Sequence, residues 1–147
     1  MRKTFLLVSL LTLAGMSIFV AACSSGTQPT GDSPIQGKVI KSGAINNLTV
    51  TLSSETGKLK NGEQELMLSF TDAAGKAVDV GAASLNFRMP AMGSMAEMNN
   101  SATLTTTGTP GVYRAKVKIE MAGGWEAQIT FEGSAGKGKT SLPLVAQ

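Results

Sequence analysis

The sequence predicts an all-β fold, an antiparallel sandwich of seven or eight short strands behind an N-terminal export segment. Three observations lead there. From residue 36 onward, apolar and polar residues alternate with period two, as in half-buried strands. Glycine, proline and asparagine signals break that alternation at short intervals. No segment sustains an apolar stripe at helical spacing over three turns.

The strands follow in order. Leu48, Val50 and Leu52 share one face, with Thr49, Thr51 and Ser53 on the other. Leu66, Leu68 and Phe70 repeat the pattern, and Leu85 and Phe87 repeat it again. The clearest run covers residues 113–121: Tyr113, Ala115, Val117, Ile119 and Met121 point inward while Arg114, Lys116, Lys118 and Glu120 meet water. Trp125, Ala127, Ile129 and Phe131 then alternate with Glu126, Gln128, Thr130 and Glu132. Turn signals stand at Lys60-Asn61-Gly62, Ala74-Gly75-Lys76, Thr109-Pro110-Gly111, Gly123-Gly124 and Gly136-Lys137-Gly138. Strands this short and this many suit a sandwich of immunoglobulin-like layout, with a small barrel as the alternative. No cysteine pair pins the sheets, so the core must hold by packing. Tyr113, early in its strand after Gly111, suits a tyrosine corner.

The N-terminus has three zones. Arg2 and Lys3 supply positive charge, residues 5–20 are almost wholly apolar, and Ala21 and Ala22 lead into Cys23, the single cysteine. That is the pattern of a secretory signal. A permanent membrane span is the alternative, opposed by Ser9, Thr12, Gly15 and Ser17 and by the lack of a charged stop. Val20-Ala21-Ala22-Cys23 also resembles a bacterial lipobox, which implies cleavage before Cys23 and a lipid on its sulfur. A thiolate is the nucleophile such a transfer needs. Acyl chains worth roughly 0.8 kcal/mol per buried methylene would anchor the chain without a spanning helix. The plain alternative, a leftover free thiol, is a liability in an oxidising compartment. The expected organisation is a lipoprotein signal peptide at 1–22, a lipidated cysteine and tether at 23–35, and a β-domain at 36–147. The tether, rich in Ser, Gly, Thr and Pro, spans on the order of 20 Å as a coil. The expected location is outside the cytoplasm, anchored by lipid to a bacterial membrane.

Composition narrows the function. Of 13 lysines and arginines, Arg2 and Lys3 fall in the signal, so the remainder nearly balance the 10 acids. Lys38, Lys41, Lys58, Lys60 and Lys76 are scattered and lack interleaved aromatics, which argues against nucleic-acid binding. Histidine is absent and the cysteine is committed to lipid, removing most routes to acid–base catalysis, thiol chemistry and zinc ligation. Asp72, Asp79, Ser94, Glu97 and Glu120 show no triad spacing. The chain is expected not to be an enzyme.

One segment departs from the rest. Met89, Met92, Met95 and Met98 recur every three residues, and Met121 lies downstream. Pro90 and Gly93 oppose a long helix, so the segment reads as a loop or a single helical turn before a strand starting near Ala102. Thioethers are soft, uncharged donors that select Cu(I) or Ag(I) over harder ions, and they need lose no proton first. Methionine is also an adaptable filler and an adaptable docking surface, so packing and partner binding stand beside metal binding.

Three motifs occur together: Met89-Pro90-Ala91-Met92-Gly93, then Gly111-Val112-Tyr113, then Met121-Ala122-Gly123-Gly124-Trp125. In order and approximate spacing they resemble the YtkA-like domains, which are related to FixH-like domains. The resemblance implies an immunoglobulin-like domain outside the cytoplasm, in a family often linked to copper handling, efflux adaptors or oxidase assembly. Members commonly carry a histidine after the M-P-x-M-G motif; here that position is Ser94, followed by Met95. Trp125 shares parity with Met121, and its indole face attracts cations, though a lone tryptophan also serves as a core residue. The leading expectation is a lipid-anchored module that captures Cu(I) or Ag(I) with Met89, Met92, Met95 and Met98, supported by Met121 and Trp125. Its partners would be the membrane through Cys23 and a copper exporter, efflux adaptor or oxidase-assembly protein. The second expectation is a metal-free domain that docks a membrane partner with the same loop.

Overall fold

Alternating chains hide their apolar faces by laying one sheet on another, and the described residues do so with nine strands. The computed structural model describes residues 35–147. The expected signal peptide, the expected lipidation at Cys23 and nearly all of the expected tether lie outside the described residues. The strands are β1 (Lys38–Ile45), β2 (Leu48–Ser54), β3 (Gly62–Thr71), β4 (Ala82–Met89), β5 (Met98–Ser101), β6 (Thr103–Thr106), β7 (Val112–Ile119), β8 (Gly123–Gly133) and β9 (Gly136–Ala146). Five form one antiparallel sheet in the order β1-β2-β3-β7-β6, and four form the other in the order β5-β4-β8-β9. With β1 set aside, β2-β3-β7-β6 facing β5-β4-β8-β9 is the A-B-E-D against C′-C-F-G order of an immunoglobulin sandwich.

The count exceeds the expected seven or eight because one polar run serves both sheets. β5 and β6 are separated only by Ala102, whose N–H donates to the Leu85 carbonyl at 2.9 Å. β5 pairs with β4 and β6 pairs with β7, so the chain changes sheets at that residue. Two further expectations are corrected. Gly123 and Gly124 begin β8 rather than form a turn, and the reversal falls just before them, so that β7 ends at Ile119 and Met121 lies outside the strand. The last hairpin turns at Ser134 and Ala135, placing Gly136 and Gly138 inside β9.

The inward faces meet in one core. Leu52, Leu66, Leu68 and Phe70 from one sheet pack with Leu85, Phe87, Trp125 and Ile129 from the other, all at 2% exposure or less. Phe70 stands edge-on to Phe131 across the sheets, centroids 5.6 Å apart, and to Tyr113 at 6.0 Å. Such edge contacts set the positive rim of one ring against the negative face of its neighbour. No buried side-chain polar atom among the described residues lacks a partner.

Two backbone devices tie the sheets together. Tyr113 of β7 donates its hydroxyl to the Gly81 carbonyl at 2.7 Å, just ahead of β4. This is a strut between sheets rather than a tyrosine corner: Tyr113 occupies the E-strand position, and its acceptor lies 32 residues upstream. Burial, and then the Asp79 carboxylate, push the phenol above its usual range, so it stays a donor. At the other end, the last residue meets the loop between β2 and β3. Gln147 donates to the Leu59 carbonyl at 2.9 Å and accepts from the Asn61 N–H at 3.0 Å.

The chain crosses itself closely at Gly111, where φ is +78° and an added Cβ would run into the Val78 carbonyl. The Gly111 carbonyl accepts from Phe70 N–H at 2.9 Å, holding the crossing against β3. Tyr113→Phe should cost about 1 kcal/mol of unfolding free energy, one net hydrogen bond, as read by denaturant melts. Gly111→Ala should cost more than Tyr113→Phe in the same assay, because it adds a backbone clash to a strained φ.

Candidate functional site

The methionine segment is a β-hairpin, not a helical turn. Gly93 (φ +57°) and Ser94 form a two-residue loop, the left-handed conformation that glycine adopts at little steric cost. Met92 and Met95 close it with reciprocal backbone bonds: Met92 N–H to Met95 carbonyl at 3.1 Å, and the reverse at 2.9 Å. Further down the ribbon Met89 is the register partner of Met98. The spacing of three is therefore a mirror about Gly93-Ser94: folding back sets Met92 opposite Met95 and Met89 opposite Met98.

The two couples have different surroundings. They lie three residues apart along each arm, an odd step, which turns them to opposite faces of the ribbon. Met92 and Met95 are 54% and 41% exposed, whereas Met89 is 1% exposed and belongs to the core. Met98 is half-buried and packs against that core, as does Met121. The methyl end of Met89 lies 3.1 Å from where a Cβ on Gly123 would stand. Trp125, two residues on, is fully buried and donates its indole N–H to the Met121 carbonyl at 3.1 Å. Met89, Met98, Met121 and Trp125 thus form the inner end of the core, and Met92 and Met95 form an exposed tip above it.

A charged clamp holds the ribbon on its outer face. Arg88 of β4 reaches Glu97 through both Nε (3.0 Å) and Nη2 (2.6 Å), and its Nη1 lies 3.4 Å from Glu126 of β8. Asn99 donates to the second Glu97 oxygen at 2.9 Å. These bonds, Arg88 first and then Asn99, hold the Glu97 carboxyl below its usual range. In the sequence Glu97 stands only among polar residues without triad spacing. Its ion pair became visible once the hairpin register brought Arg88 and Glu97 together across the ribbon.

Among the described residues, no three His, Cys, Asp or Glu side chains gather as a metal cluster. A groove of about 590 Å³ elsewhere is lined by Glu63, Glu65, Ser101, Thr103, Lys116 and Lys118, with no methionine on its walls. Its acids and lysines are register partners on β3 and β7, Glu63 with Lys118 and Glu65 with Lys116, and Glu65 closes its ion pair with the neighbouring Arg114 at 3.0 Å.

The family model for YtkA-like domains matches residues 43–130, from the end of β1 through most of β8. The chain belongs to the YtkA-like family. The match takes in the methionine hairpin, the Gly111-Val112-Tyr113 strand start and the Met121-to-Trp125 turn. In this YtkA-like domain those three motifs become, respectively, the exposed tip, the crossing beneath the Tyr113 strut, and the reversal that brings Met121 under Trp125. No curated protein and no solved structure matches the chain.

Two outcomes test this arrangement. Trp125→Ala should destabilise the YtkA-like domain by about 3–5 kcal/mol, measured by denaturant unfolding, because it empties the end of the core that Met89 shares. Acid should loosen the hairpin. A carboxyl whose folded pKa is lowered contributes stability above its unfolded pKa and loses it as pH falls through the folded value. Amide exchange in β5 should therefore accelerate below the ordinary glutamate range, and Glu97→Gln should abolish that response.

Proposed function

We propose that this YtkA-like protein is a binding module, not an enzyme, held outside the cytoplasm by lipid on Cys23. It captures Cu(I) or Ag(I) on its methionine hairpin. The observation that carries the reading is the pairing of Met92 with Met95 across a closed two-residue loop, with both side chains open to solvent. Hydrogen-bonded partners of an antiparallel pair have Cα atoms about 5.5 Å apart, within reach of one ion for two long thioether side chains. Two-sulfur capture suits a soft monovalent cation, and the site works at any pH because thioethers carry no titrating proton. Met98, half-buried on the other face of the ribbon, would have to turn outward to add a third sulfur, and Met89 would have to leave the core. Met121 and Trp125 support the floor. A copper exporter, efflux adaptor or oxidase-assembly protein is the kind of partner that would exchange such an ion.

The same exposure favours a second reading, in which the two methionines form an adaptable apolar tip that docks a membrane partner without metal. Exchange of both tip residues for leucine separates the two, since leucine keeps the volume and removes the sulfur. Titrated with Cu(I) against a competing chelator, the wild-type chain should bind at micromolar or tighter, worth about 8 kcal/mol. M92L/M95L should lose most of that binding, whereas M89L should retain it. Wild-type affinity weaker than micromolar ends the metal reading, and partner capture that survives M92L/M95L favours docking.

A further inference from the structure

We infer that Met92 and Met95 are a peroxide-responsive modification site, oxidised ahead of every other methionine among the described residues. The carrying observation is a gradient of access built into one short ribbon. The tip couple is 54% and 41% exposed, Met67, Met98 and Met121 are half-buried, and Met89 is 1% exposed within the core. Methionine oxidation follows exposure of the sulfur. A closed turn also presents both tip thioethers on one end of the fold, so a single encounter surface serves two reactive sulfurs.

The step is an oxygen transfer. A thioether sulfur attacks one oxygen of hydrogen peroxide, the O–O bond breaks, an S–O bond forms, and the other oxygen leaves as water. Sulfur loses two electrons and peroxide gains them. Each event changes a flexible apolar side chain into a polar one, so the tip turns from apolar to polar while the buried Met89 keeps the core intact. The consequence for metal rests on the soft-cation reading above. The sulfoxide presents a hard oxygen in place of a free thioether, so oxidation of the couple switches Cu(I) or Ag(I) capture off without unfolding the domain.

The experiment uses the full chain in detergent, metal-free, treated with hydrogen peroxide and sampled over time. Because Met89, Met92, Met95 and Met98 fall in one tryptic peptide, the sulfoxides are located by fragmentation in the mass spectrometer. Met92 and Met95 should oxidise on the order of tenfold faster than Met89, with Met67, Met98 and Met121 between them. In denaturant the rates should converge, since the order comes from the fold. Equal rates in the folded chain, Met89 reacting first, or an order that persists in denaturant would each overturn the inference. A parallel run with Ag(I) keeps the two readings apart. Slower oxidation of the tip couple supports capture, whereas rates unchanged by saturating Ag(I) sink the metal reading and leave the oxidation order standing.

Discussion

The structure rests on a demand for concealment. The strands β2, β3, β4, β7 and β8 each have an apolar face, the described residues contain no disulfide and no helix, and the single way to hide those faces is to press two sheets together. Buried apolar surface is worth roughly 25 cal/mol per Å², so the inward row from Leu52 and Phe70 to Phe87 and Trp125 supplies most of the favourable free energy. The Tyr113 strut and the Gln147 contacts with Leu59 and Asn61 add little energy by comparison. They fix how one sheet lies on the other, which packing alone leaves loosely specified.

That packing decides which methionines remain available for chemistry. Strand alternation carries Met89 inward with Leu85 and Phe87, so its sulfur becomes core. Past Pro90 the ribbon leaves the sandwich, and the same alternation frees Met92 and Met95. The Arg88–Glu97 clamp holds the arms together from the outside, so the tip projects on a supported ribbon rather than a slack loop. Residues evenly spaced in the sequence thus divide into a structural couple and a chemical couple.

Much of this was legible before any coordinates. The alternation at residues 48–52, 66–70, 113–119 and 125–131 gave strands in the right places, because period two is a local property that tertiary contacts seldom reverse. What stayed hidden is non-local. β1 and β9 have weak alternation, and they are strands because their neighbours supply hydrogen bonds. The sheet change at Ala102 needs only one residue and leaves no compositional mark. The candidate site shows the same division. All six residues proposed for metal lie at one end of the sandwich, yet a spacing of three was open to a helical reading. The clue available was the mirror symmetry of Met-Pro-Ala-Met and Met-Ala-Glu-Met about Gly93-Ser94, which only a hairpin exploits.

The strand in excess of the immunoglobulin order has a geometric effect. In that order the first strand runs toward the end that holds the C–C′ turn, so a chain beginning there starts from the far end. Here β1 precedes it and runs the opposite way, with Lys38 level with Ser54. Lys38 thereby stands at the end of the sandwich that carries the methionine tip, on the edge where β1 faces β9 rather than the edge formed by β4 and β5. Any body that covers that end of the described domain therefore meets both the start of β1 and the exposed methionines.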